Sequence, residues 1–128
     1  IKIPLTFNEE FFQWFDFKRW EKVKSVFKEM KRRRGSSNAL KININFSGNP
    51  KIIFVIDSED RQKFNNAVEK IDSVLELLPY HLDPKKTPAG ISEINYKFDS
   101  ESVRWCLSTA LVENKKYIFN KESWEEIS

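Results

Sequence analysis

Glycine is scarce in this sequence: Gly35, Gly48 and Gly90 are the only three in 128 residues. A P-loop or a dinucleotide fingerprint needs several glycines at fixed spacing, where backbone must approach phosphate, and neither can be written here. Histidine and cysteine are scarcer still, with His81 and Cys106 alone of their kind. Zinc sites need clustered ligands and iron–sulfur clusters need several thiolates, so no metal site and no iron–sulfur cluster is expected. One cysteine permits no internal disulfide, which fits a reducing compartment and makes the cytoplasm the expected location. No apolar run approaches the length of a membrane-spanning helix. No basic-then-apolar secretory leader is visible either. A G-x-S-x-G elbow is absent, as are the strand-borne paired aspartates of a two-metal polymerase. The carboxylates of "DSEDR" (57–61) read as the acidic start of a helix. These absences point away from an enzyme, and no catalytic residue is assigned.

What is present describes a soluble globular chain, 40% hydrophobic and 32% charged. The charge is uneven. Residues 1–34 hold 10 Lys/Arg against 5 Asp/Glu, whereas residues 35–128 hold 12 against 14. A basic N-terminal third points modestly to a polyanionic partner.

Periodicity gives the elements. Residues 2–6 read as a short edge strand, since Pro4 needs a position with no ladder donor. Asn8 reads as a helix N-cap, with a break expected near Asp16. Trp20, Val23, Val26, Phe27 and Met30 form one helical stripe, and Gly35 ends that helix. "ALKININF" (39–46) alternates strictly, "SGNP" (47–50) has turn chemistry, and "KIIFVI" (51–56) is β-branched and apolar, so a hairpin is expected. Asp57 or Ser58 is expected to cap a helix carrying Phe64, Ala67, Val68, Ile71, Leu75 and Leu78 down to Pro79. Residues 79–90, with three prolines and a glycine, read as a loop. A strand over 94–98 follows. Then comes a helix capped by Asp99 or Ser100, with Val103, Cys106, Leu107, Ala110 and Leu111 on its apolar face. A strand over 116–119 and a final helical turn over 121–127 complete the chain. The fold class is α+β, with helices packed on a small, mainly antiparallel sheet in a single domain spanning residues 1–128.

Three groups of residues are candidates for binding. Lys31, Arg32, Arg33 and Arg34 run into Gly35 and the hydroxyls of Ser36 and Ser37; guanidinium forks beside such donors suit phosphate oxygens. The competing reading is plain helix-end charge meeting the dipole. Phe11, Trp14 and Phe17 sit in an aromatic N-terminal segment whose off-stripe members suit a partner protein, base stacking, or core packing. Arg104 stands at the margin of its expected helix with Ser108 one turn on, its head at the edge of the core. His81 reads as a solvated or locally bonded loop side chain. Cys106 reads as buried packing rather than a nucleophile.

"SESVRWCLSTALVE" (100–113), with "WEEI" (124–127) after it, resembles a helical segment in the C-terminal domain of the large subunit of archaeal and eukaryotic DNA primases. There a polar start is followed by arginine, an aromatic and a small, apolar run. That domain carries a four-cysteine iron–sulfur cluster, which one cysteine cannot supply. The non-catalytic third subunit of crenarchaeal primase is similar to the domain without its cluster, and this chain resembles it in size and composition. The resemblance implies a non-catalytic accessory subunit in DNA replication and primer synthesis, with primase subunits as partners. It implies Arg104 as a ligand for the triphosphate of a nucleotide. The basic segment 31–37 would then contact nucleotide or single-stranded template. The alternative is a protein–protein adaptor with no nucleotide ligand.

Overall fold

A computed structural model describes residues 2–8, 10, 11, 13, 17–35, 38–48, 50–120 and 123–127. Strand β1 (Lys2–Thr6) is followed by helix α1 (Phe17–Arg34) and strands β2 (Leu40–Ser47) and β3 (Lys51–Ser58). Helix α2 (Arg61–Glu69), a 3₁₀ turn (Asp72–Glu76) and the single-turn α3 (Leu78–His81) come next. Strands β4 (Glu93–Asp99), β5 (Arg104–Val112), β6 (Lys115–Asn120) and β7 (Ser123–Ile127) close the described chain. The seven strands form one sheet in chain order. Neighbours β1/β2 and β3/β4 are parallel; the other four pairs are antiparallel. The architecture is α+β, with helices on a mainly antiparallel sheet. No helix among the described residues is long and apolar enough to cross a membrane.

One face of the sheet carries the core. Alternation sends Ile42, Ile44 and Phe46 to the same side as their register partners Ile56, Phe54 and Ile52, then as Ile94 and Tyr96. Phe54 sits at the centre, with the rings of Phe7, Phe46, Tyr96 and Trp105 within 6 Å of its own. The helices lie on this face: Trp20 of α1 meets Phe46, and Trp105 donates its indole N–H to the carbonyl of Ala67 in α2 at 3.0 Å. Truncating Phe54 to Ala would cost about 3–5 kcal/mol by the cavity it leaves.

Several expected elements are corrected. Asn8 does accept from the Phe11 amide at 2.9 Å, but the break expected near Asp16 lies outside the described residues. On α1, Val26 is 57% and Met30 41% exposed, while Lys24 and Lys31 are buried beside Trp20 and Phe27. The buried face is therefore 20, 24, 27 and 31, with two lysines where hydrophobicity alone selects Val26 and Met30. Gly35 ends α1 as expected, at φ +100°, returning its amide to Lys31 at 3.1 Å.

Neither Asp57 nor Ser58 caps α2. Both stay in β3, paired with Lys41 and Leu40, and Asp60 caps instead by accepting from the Lys63 amide at 2.9 Å. The helix expected down to Pro79 is three short pieces. The Ser73 hydroxyl takes the Lys70 carbonyl at 2.6 Å, the local competition that serine offers a helix. Pro79 sits in the first turn of α3, within the stretch expected to be loop, where no amide donor is needed.

The helix expected over residues 99–113 is a hairpin turn and strand β5. Tyr96 pairs with Leu107, but Asn95 pairs with Thr109, so Ser108 is the extra residue of a β-bulge. Trp105 and Leu107 face the core before the bulge and Ala110 after it. The step of three at the bulge imitates a helical period, which is why periodicity alone reads this stretch as helix. The helical turn expected over 121–127 is strand β7 where it is described; Trp124 pairs across from Phe119 with ring centres 5.2 Å apart.

Candidate functional site

The α1 cations have partners inside the chain. Lys31 is fully buried, and its ammonium donates to the carbonyls of Gly35, at 3.0 Å, and Asn38. It therefore closes the helix C-terminus and is no surface phosphate ligand. Arg32 donates to both Glu29 oxygens, and Arg33 donates to the same carboxylate at 3.4 Å. Arg32 first, then Arg33, holds the Glu29 carboxyl well below the usual carboxylate range. Arg34 donates to the Ala39 carbonyl at 3.1 Å. Lys24 reaches Glu21, Glu69 and Asp72, and Lys28 pairs with Glu69. Burial alone would lower the Lys24 pKa, but the three carboxylates outweigh it and leave the pKa raised. These contacts clamp α1 to α2.

Of the aromatic segment expected to dock a partner, only the Phe11 side chain is described. Phe11 is core, edge-on to Trp20 and Phe46. Trp14, Ser36, Ser37 and the side chain of Phe17 lie outside the described residues.

Arg104 opens β5 opposite Asp99 and is exposed. The turn before it is built tightly: Asp99 accepts from the Glu101 amide at 3.0 Å and the Ser102 hydroxyl at 2.8 Å. Val103 then adopts φ 54°, a left-handed conformation that a β-branched residue rarely takes. Arg104 belongs to the sheet face away from the helices, so it shares no surface with the 31–34 run. Ser108, the bulge residue, is half-buried on the same strand.

That uncovered face is the most distinctive surface of the molecule. Its rows follow from the register. One row runs Asn45, Ile53, Asn95, Thr109, Ile118 and Glu125; another runs Asn43, Val55, Lys97 and Cys106; a third runs Lys51, Glu93, Leu111, Lys116 and Ile127. Lys2 stands opposite Asn45, while Lys41 and Arg104 stand at the far end. The face thus presents Lys2, Lys41, Lys51, Lys97, Arg104 and Lys116, all exposed, against Asp57, Glu93, Asp99 and Glu125. Among the described residues none of the six cations makes an ion pair within 4.0 Å. Aromatic side chains of the paired strands all fall on the core side. Cys106 is half-exposed here, opposite Lys97, and is not the buried packing residue expected.

Five of these six cations, all except Arg104, are invisible to motif reasoning. The available signal is the polar half of each alternating strand: Lys41 in "ALKININF" and Lys97 in "INYKF" both occupy it. Strand order is needed to bring them together.

A cleft of about 560 Å³ adjoins the face. Pairing of β3 with β4 stops at Val55 and Lys97, although both strands run on. The chain leaves β3 for the helix layer and β4 for β5, and the gap opens at the carboxyl ends of two parallel strands, a favoured place for ligands. Its rim carries Asp57, Glu59, Asp60, Lys63 and Lys97, a mixture with no preference for an anion. No group of three His, Cys, Asp or Glu among the described residues is arranged to hold a metal. His81 lies elsewhere; its Nδ1 is 2.9 Å from the Tyr96 hydroxyl, and burial lowers its pKa, so it is neutral at neutral pH.

Comparison with known proteins gave no matching family model, no matching curated protein and no matching solved structure.

Proposed function

We propose that this chain is a non-catalytic binding domain for single-stranded nucleic acid, serving a larger nucleic-acid-processing assembly. The open sheet face is its track. What supports this is one observation: six exposed cations, one from each of six strands, converge on the face away from the described helices, with no ion pair within 4.0 Å among the described residues. Ammonium and guanidinium groups outside any close ion pair gain most from phosphate, and here only the longer-range pull of Asp57, Glu93 and Asp99 across the register competes with it. A single strand fits better than a duplex, since it can bend to lay successive phosphates over cations spread across strands about 4.8 Å apart. With no aromatic on the face among the described residues, stacking contributes little, and affinity is salt-dependent and tolerant of sequence.

A primer-synthesis complex is the setting that the primase resemblance suggests. The reading does not depend on it, because the segment carrying that resemblance is a hairpin and strand, and a triphosphate shared by Arg104 and residues 31–34 would have to bridge two sides of the molecule.

The test uses Cys106, the sole cysteine, which stands on the face opposite Lys97. Binding of an oligonucleotide is expected to slow its labelling by a maleimide, with protection lost in high salt. Unchanged labelling at saturating oligonucleotide would sink the reading.

A second reading, the protein adaptor, has its own observation. On the helix side Leu75, Leu78, Pro79 and Leu82 line an apolar groove of about 390 Å³, with Tyr80 71% exposed beside it. An adaptor would leave Cys106 labelling indifferent to oligonucleotide and salt.

A further inference from the structure

We propose that the sheet face distinguishes RNA from DNA, through a small pocket where Asn45 accepts a hydrogen bond from a ribose 2′-hydroxyl. This rests on the reading of the face as a nucleic-acid track.

The pocket, about 100 Å³, lies where β1 meets β2, lined by Lys2, Asn45, Phe46, Ser47 and Lys51. Lys2 is the register partner of Asn45, and Lys51 opens β3 across the turn. Neither lysine makes an ion pair within 4.0 Å among the described residues. Glu93, opposite Lys51, instead accepts from the Asn95 amide group at 3.4 Å. Two ammonium groups at the mouth of a pocket of this size suit one phosphodiester.

The second observation selects the sugar. Asn45 Oδ1 is buried and has no hydrogen-bond donor among the described residues. A buried acceptor left unpaired is costly, so a ligand that supplies a donor gains more than one that does not. Phosphate oxygens only accept and cannot satisfy it. The ribose 2′-hydroxyl can donate, and it lies on the carbon next to the one bearing the phosphate. Deoxyribose offers nothing there. The Ser47 hydroxyl donates to the Ile3 carbonyl at 3.2 Å and, being exposed, meets its remaining acceptor needs with solvent, so the buried Asn45 Oδ1 is the acceptor that gains most from the sugar. Lys2 and Lys51 line the same pocket as Asn45, so a phosphate held by their ammonium groups brings its own ribose to the amide.

The experiment compares the chain's affinity for oligouridylate, oligodeoxyuridylate and 2′-O-methyl oligouridylate of one length, by fluorescence anisotropy at fixed salt. The base is the same throughout, so only the 2′ position varies. Oligouridylate is expected to bind about fivefold tighter than the other two, the size of one added hydrogen bond. Asn45→Ala is expected to bring all three to the deoxy value. Equal ribo and deoxy affinity, or a 2′-O-methyl strand that binds as well as the hydroxyl form, overturns the proposal with no variant needed. A preference that survives Asn45→Ala also overturns it. Failure of all three strands to bind would instead remove the nucleic-acid reading beneath it.

Discussion

The cations of α1 and those of the open sheet face make an instructive pair. Lys24, Lys28, Lys31, Arg32, Arg33 and Arg34 crowd into one helix, and each has a partner within the chain. Lys2, Lys41, Lys51, Lys97, Arg104 and Lys116 are scattered over more than a hundred residues, and none makes an ion pair within 4.0 Å among the described residues. The conspicuous run is structural and the inconspicuous set is available. Helical neighbours three and four apart reach one another and their own carboxylates, so local density promotes internal pairing. A strand sends alternate residues to each face, so cations from distant segments gather there beside Asp57, Glu93, Asp99 and Glu125 without closing an ion pair within 4.0 Å among the described residues.

The sharpest way to break that contrast is Lys31→Glu. A carboxylate would replace a buried ammonium between two carbonyl oxygens, and stability should fall by about 3–5 kcal/mol, read from urea unfolding. An unchanged midpoint would show that Lys31 is not structural and would return the run to candidacy as a phosphate site. Next comes charge reversal on the face. Lys51→Glu with Lys97→Glu should weaken oligonucleotide binding at least about tenfold and flatten the log–log salt slope by about 0.7 for each phosphate no longer neutralised. The unfolding midpoint should stay within about 0.5 kcal/mol of the parent, since both side chains are exposed. Binding that ignores the reversal would remove the face from consideration.

A smaller effect sits in the α1–α2 clamp. The Lys28 ammonium, then Lys24, holds the Glu69 carboxyl below its ordinary value of 4.5. A depressed carboxyl pKa means the clamp's contribution is complete above that value and is lost as pH falls through the lower folded value. Glu69 is well exposed, so the loss is under about 1 kcal/mol after screening. Glu69→Gln should flatten stability against pH in that acidic window, and an unaltered profile would detach the clamp from Glu69. Smallest of all is Arg32→Gln with Arg33→Gln, expected to leave oligonucleotide affinity unchanged. A marked loss there would erase the distinction between the two sets.

Much of the fold is legible where one physical period holds throughout. "ALKININF" alternates without interruption and is a strand; Gly35 can stop α1 because a positive φ is cheap for glycine. Legibility fails where two periods are spliced. The bulge at Ser108 changes the phase of β5, and Lys24 and Lys31 occupy core-facing positions that no hydropathy pattern assigns to lysine. The candidate site is harder to see than the fold. Arg104 stands out in the sequence, but on the wrong element. The other five cations need the strand order, which depends on long-range pairing and leaves no local mark.

Ser108 has a further consequence for how this sheet can vary between descendants of one gene. It is the unpaired residue of β5, so deleting its single codon would bring Leu107 and Thr109 together with their inward and outward orientations intact. Removing any neighbour without closing the bulge would exchange inside for outside along the rest of the strand. Bulges increase local twist, so presence or absence of this one residue adjusts the curvature of the sheet while leaving its composition almost untouched. Length variation in relatives should therefore be tolerated at this point of β5 and selected against on either side.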